Sequence, residues 1–283
     1  MRKTFLAMSV AAALTAPAIG MAQQAAPAAA PASPHTVTGN LTLITDYRFR
    51  GISQTFGKPA IQGGIDYSHA SGFYLGNWNS NISETAGFPN GNIEMDFYGG
   101  WKKSWDDLGL DLGILYYYYP GSTKGGSAGA GAVTNPNTLR AATGTGNVDN
   151  TELYIAGSWK WISLKYSNAI SDYFSVPGTR NSSYLDLSAN YDLGGGWGVN
   201  GHIGKLNVKS AAQASYTDYK LGVTKDVNGW VFGASYVDTS AQDGGTCAGG
   251  TAQFYHFCKL NSAGFSDYKG GKSTLLLSVS KTF

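Results

Sequence analysis

Eight charged residues sit where they could work on solutes inside a fold: Arg48, Arg50, Glu94, Asp96, Glu152, Asp186, Asp218 and Lys220. Each lies in a stretch where polar and apolar residues alternate, so the charged side chain points away from the apolar face. Two arginines on one wall facing carboxylates on the others would create a transverse field. Such a field orients polar solutes and disfavours apolar ones. Charges enclosed by a fold also satisfy one another by pairing, which would close the same space. Both readings remain open on these residues alone.

Other reactive side chains are few. His202 is the one histidine inside an alternating stretch, and Ser163 and Lys165 are its candidate partners, one stretch removed. No G-x-S-x-G, H-E-x-x-H or Asp–His pair is present, so no catalytic or cofactor-binding residue is assigned. His202 then reads as a polar interior side chain. Cys247 and Cys258 share one long polar segment, and in an exported chain such a pair forms a disulfide. Free thiols are the alternative. His256 adds a third donor, but three ligands on one loop are weak ground for a metal, and none is assigned.

The elements that must position these residues are strands. After residue 35 the chain shows twelve stretches with period-2 hydrophobicity. Five tight connections fall at 69–72, 105–108, 159–161, 192–197 and 226–230. Six longer polar ones fall at 52–58, 83–92, 120–150, 176–183, 209–215 and 240–272. Tight and long connections alternate strictly, as they do in an antiparallel outer-membrane barrel with short periplasmic turns and long extracellular loops. The first stretch sets Leu41, Leu43, Thr45, Tyr47 and Phe49 on one face, with Thr42, Asp46, Arg48 and Arg50 on the other. Another sets Leu185, Leu187, Ala189 and Tyr191 against Asp186, Ser188 and Asn190.

A soluble sandwich alternates in the same way, but tryptophan placement separates the two. Trp101, Trp105, Trp159, Trp161, Trp197 and Trp230 all flank tight turns, leaving only Trp78 in mid-strand. Indole favours the headgroup level, so these six are expected to form a periplasmic girdle. Tyr47, Tyr116 to Tyr119, Tyr173, Tyr184, Tyr216 and Tyr236 cluster at the opposite ends and read as a second belt. Inward glycines such as Gly64, Gly100, Gly113, Gly204 and Gly222 leave space in the lumen.

Residues 1–22 read as a cleaved signal: Met1-Arg2-Lys3, an apolar run, then Gly20-Met21-Ala22. Residues 23–35 form an Ala/Pro-rich periplasmic tail, and 36–283 form the barrel. Loss of Arg2 and Lys3 takes the 20 basic residues to 18, equal to the 18 acidic ones. A neutral chain has no broad attraction for nucleic acid. The expected partners are instead outer-membrane lipid and small polar solutes. Phe283 closes the last strand and resembles the signal read by the barrel assembly machinery, although Lys281 stands where an apolar residue is usual.

Asp46-Tyr47-Arg48-Phe49-Arg50-Gly51-Ile52-Ser53-Gln54-Thr55, then Pro59 to Tyr67 and Gly72-Phe73-Tyr74, resemble the TorF-type porins of proteobacteria. The likeness is densest over residues 40–80 and continues more weakly to the final strand. It implies an outer-membrane barrel of a Gram-negative bacterium with a transport role, and it supplies no solute or binding residue. The expectation is a twelve-stranded all-β barrel acting as a narrow channel for small hydrophilic solutes. A closed scaffold barrel and a lipid-modifying enzyme are the alternatives.

Overall fold

A computed structural model describes residues 33–88, 90–124 and 146–283. The signal segment, nearly all of the tail, and residues 125–145 of the 120–150 loop lie outside the described residues, as does any inward folding of that loop. Among the described residues sixteen strands follow in chain order. They are β1 (His35–Ile44), β2 (Arg48–Phe49), β3 (Ile52–Ser53), β4 (Ala60–His69), β5 (Phe73–Asn81), β6 (Ile93–Trp105), β7 (Leu108–Tyr118) and β8 (Asp149–Trp159). Then come β9 (Ile162–Ala169), β10 (Ser183–Gly194), β11 (Trp197–Asn207), β12 (Tyr216–Val227), β13 (Trp230–Thr239), β14 (His256–Asn261), β15 (Gly264–Lys269) and β16 (Thr274–Thr282).

Twelve of these close an antiparallel barrel, running β1, β4 to β13, β16 and back to β1. Closure pairs Asn40 with Thr282 and Ile44 with Ser278, so none of the twelve barrel strands has an unpaired edge. The two remaining pairs, β2–β3 and β14–β15, are hairpins inside long loops. Tight turns carry backbone suited to hairpins. Val227 pairs with Trp230 across Asn228-Gly229, both at positive φ, which is the two-residue turn that matches strand twist.

The outer face of the barrel is apolar along its middle. Ile65, Leu75, Leu153, Leu187, Leu221 and Leu275 are all exposed, Leu221 at 65%. A continuous band of this kind is what a lipid bilayer covers. At the short-turn rim Trp105, Trp159, Trp161, Trp197 and Trp230 face outward and exposed, and Trp101 donates to the Ser71 carbonyl in the first turn. Lysines lie over four of these rings: Lys103 over Trp105, Lys160 over Trp159, Lys225 over Trp197 and Lys281 over Trp230. Lys281 thus stands where an ammonium reaches the interface while its stem covers apolar surface.

The opposite belt differs from expectation. Tyr47, Tyr117, Tyr119, Tyr173, Tyr184 and Tyr216 are buried inside the barrel, whereas Tyr116 and Tyr118 lie half-buried on the outward side of β7 and Tyr236 is exposed on the outer face. The inward glycines are not vacant either. A Cβ at Gly204 would meet the Tyr184 hydroxyl at 1.9 Å, and one at Gly113 would meet the Tyr154 ring at 2.4 Å. Tyrosines lie flat across glycines of neighbouring strands, and that close approach is what excludes a side chain there.

Candidate functional site: a plugged lumen

The first stretch leaves the barrel wall at Ile44, not at Arg50. Alternation continues through Tyr47 and Phe49, but residues 45–59 form a loop, here called L1, that turns inward. Its tip is the hairpin β2–β3, with Arg48 opposite Ser53 and Phe49 opposite Ile52. Arg50 and Gly51 make the turn at φ 47° and 80°. That conformation suits glycine at the second position and is uncommon for arginine at the first. Gly51 runs so close to the wall at β12 and β13 that a Cβ there would meet Thr239 and Asp218.

Arg48 fastens the base of L1. Its Nε lies 2.6 Å from Asp46, and Nη1 donates to the carbonyls of Gly51, Gly270 and Lys272. Its Nη2 donates to Tyr268 and Thr274, so one guanidinium joins L1 to the loop before β16 and to β16 itself. Asp46 also accepts from Ser53 (2.6 Å) and Thr55 (2.8 Å). Two backbone bonds complete the anchor: Ser53 N–H to Gly270, and Ser83 N–H to Gln54.

Arg50 fastens the tip. Its Nη2 lies 2.7 Å from Glu152 on β8, Nη1 donates to Tyr173 at 3.0 Å, and its Cζ sits 4.2 Å over the Tyr184 ring. Burial opposes this charge, yet Glu152 beside it raises the Arg50 pKa above the ordinary guanidinium value. Burial also pushes the Tyr173 hydroxyl up to about 12, against the pull of Arg50, so it stays protonated. Phe49 and Phe174 meet edge to ring beside the pair, and Phe174 also packs on Tyr117, Tyr119 and Phe88.

The expected basic wall is therefore absent. Arg48 and Arg50 belong to a plug, and they are neutralised by Asp46 and Glu152 rather than facing an open passage. Glu94, Asp96, Glu152, Asp186 and Asp218 do project inward from β6, β8, β10 and β12, all at 3% exposure or less. Glu94 accepts from Tyr47 of L1 at 2.8 Å. No lysine or arginine of the described residues lies in ion-pair range of Glu94 or Asp96. Lys220 projects inward from β12 below the plug.

His202 has different neighbours from those expected. Its Nδ1 lies 2.6 Å from Asp186 and its Nε2 3.1 Å from Asp218, whose other oxygen accepts from Tyr184. Register explains this: His202 is level with Ser188 and Lys220, each two residues from an aspartate, and such diagonals are within side-chain reach. An Asp–His–Asp cluster is thus written across three strands and in no local motif. With both ring nitrogens facing carboxylates, neither is left to deprotonate a nearby serine.

Under L1 lies a cavity of about 30 Å³, lined by Tyr47, Arg48, Gly51, His202, Lys220 and Ser235 among others. It has room for about one water. From there to the short-turn rim the interior is polar and partly solvated, with Asp66, Tyr74, Tyr98, Lys102 and Lys165. In the last long loop Cys247 and Cys258 form a disulfide, so neither offers a thiolate to a metal. His256 beside them binds the Asp243 carbonyl.

The profile of a family described as "Bacterial protein of unknown function (Gcw_chp)" matches residues 28–263. No curated protein matches the chain. Among solved structures, it is similar to the KdgM porin, with 8% identity and a TM-score of 0.47 over 87% of this chain and 99% of that one. It is also similar to the NanC porin, with 9% identity and a TM-score of 0.45 over 88% and 99%. The Pseudomonas putida toluene transporter TodX aligns at 12% identity and a TM-score of 0.39, over 89% of each chain.

Proposed function

The chain belongs to the Gcw_chp family, and we propose that it is an outer-membrane channel for passive diffusion of small hydrophilic solutes, closed at rest by L1. The resemblance to TorF-type porins supports the same reading. One observation carries the proposal. The closure is a loop tied across the lumen by side-chain hydrogen bonds and ion pairs, above an interior that is polar and partly solvated. A barrel serving only as a scaffold has no need of a solvated polar bore. A loop held by replaceable polar contacts, outside the barrel's own ladder, can detach without opening the wall.

The scaffold reading draws on a different feature, the two buried aromatic clusters that fill the long-loop half. Liposome swelling separates the two. Liposomes bearing the refolded chain should admit pentose-sized sugars slowly and larger oligosaccharides not at all. Shortening L1 to a tight turn should speed entry of the small sugars. If neither protein admits any sugar, the barrel is a scaffold.

A further inference from the structure

Below the plug the lumen holds three lysines whose neighbouring aspartates are occupied elsewhere. Lys102 on β6 is directly across from Asp111 on β7, and Lys165 on β9 is directly across from Asp186 on β10. Neither forms an ion pair. Asp111 accepts instead from the Tyr74 hydroxyl at 2.6 Å, and Asp186 is taken by His202 and by a short contact from Ser188. Asp66, the other acid at this level, accepts from Tyr98 at 2.5 Å. Lys220, level with His202, has no carboxylate within 4 Å among the described residues, since Asp186 and Asp218 both face the imidazole.

Two of the lysines rest on rings. Lys102 lies 5.2 Å from the Tyr74 centroid and Lys165 lies 4.0 Å from that of Tyr154. A ring face engages an ammonium without consuming a lone pair, so the N–H donors stay available to an anion. Those rings are fixed in turn, because Tyr74 and Tyr154 hydroxyls touch each other and Tyr74 holds Asp111. All three lysines are partly exposed to the lumen. The acids here are capped by neutral hydroxyls or by histidine, while among the described residues none of the three ammonium groups has a carboxylate in ion-pair range.

We propose that Lys102, Lys165 and Lys220 form an anion subsite that makes this half of the lumen prefer small organic or inorganic anions. The proposal rests on the channel reading for its role in transport, but not for binding itself. The lysines provide point charges with three rotatable donors each, suited to carboxylate or phosphate oxygens rather than to one rigid ligand.

The test uses the full mature chain refolded in lipid, and a triple variant Lys102→Gln/Lys165→Gln/Lys220→Gln. The first measurement is the reversal potential in a KCl gradient, using the Arg50→Gln background if the unmodified chain stays silent. Anion preference that shifts toward cations in the triple variant supports the subsite, and Lys165→Arg should retain the preference. Cation preference from the start, or no shift in the triple variant, overturns it. Where no background conducts, calorimetric titration with inorganic phosphate decides. Binding lost in the triple variant supports the subsite while the channel reading fails, and absence of binding to the unmodified chain overturns both. Should the triple variant not refold, the single Lys165→Gln and Lys220→Gln variants are read in the same way.

Discussion

Near the long loops, Arg48 and Arg50 each meet a carboxylate at under 3 Å, whereas below the plug three lysines lie beside or opposite aspartates and form no ion pair with them. Solvation accounts for the difference. Arg48, Arg50, Asp46 and Glu152 are removed from water by L1 and by the aromatic clusters around it. A charge buried to that extent costs several kcal/mol unless it is paired and hydrogen-bonded. The lysines keep partial contact with lumen water, and tyrosines and His202 take the aspartates. One barrel thus carries a charge-paired stopper at one end and a basic track running on below it.

Breaking the stopper should have the largest effect. Arg48→Gln leaves Asp46 buried without its cation and releases the carbonyls of Gly270 and Lys272. Removal of one partner from a buried pair costs ~3–5 kcal/mol, here expected to fall on L1 docking because the barrel ladder is untouched. Amide exchange at Ser53 and Gln54 should rise while strand amides stay protected. Uniform loss of protection would mean that L1 and the barrel unfold as one unit.

Gly204→Ala should be intermediate. The new Cβ would overlap the Tyr184 hydroxyl, forcing that ring off Asp218 and from beneath the Arg50 guanidinium. Overpacking of this kind costs ~1–3 kcal/mol, and the denaturant midpoint of the refolded barrel should fall accordingly. An unchanged midpoint would show that the ring has free space after all.

Tyr74→Phe sharpens the comparison from the other side. Asp111 loses its donor and is left facing Lys102, converting one solvated lysine into a pair like those above. The reversal potential should move toward cations by a fraction of the triple-lysine shift; no movement would remove Lys102 from the track. The smallest change is expected from Cys247→Ser/Cys258→Ser. That disulfide closes a short loop outside the barrel wall, so barrel melting should be unaltered while proteolysis of 240–255 accelerates.

Much of this arrangement was legible in the chain. Strands and tight turns were, because period-2 alternation and residues such as Asn228-Gly229 act locally. The tryptophans were legible because a tight turn marks the rim. L1 was hidden because alternation through Thr45, Tyr47 and Phe49 imitates a strand; the sign of departure was Arg50-Gly51, a turn dipeptide between Phe49 and Ile52. The tyrosines misled because a tyrosine near a strand end suits a lipid rim and a packed plug equally well, and inward parity alone distinguishes them. His202 between two aspartates depends on register across three strands, which no short motif carries.

The central claim is that L1 is a polar stopper in a conducting barrel, and single-channel recording of the mature chain beside its Arg50→Gln variant tests it most directly. Loss of the Glu152 pair at the hairpin tip should turn rare, brief openings into frequent or sustained ones of reproducible size. Identical records from the two proteins, whether both silent or both open, would contradict it.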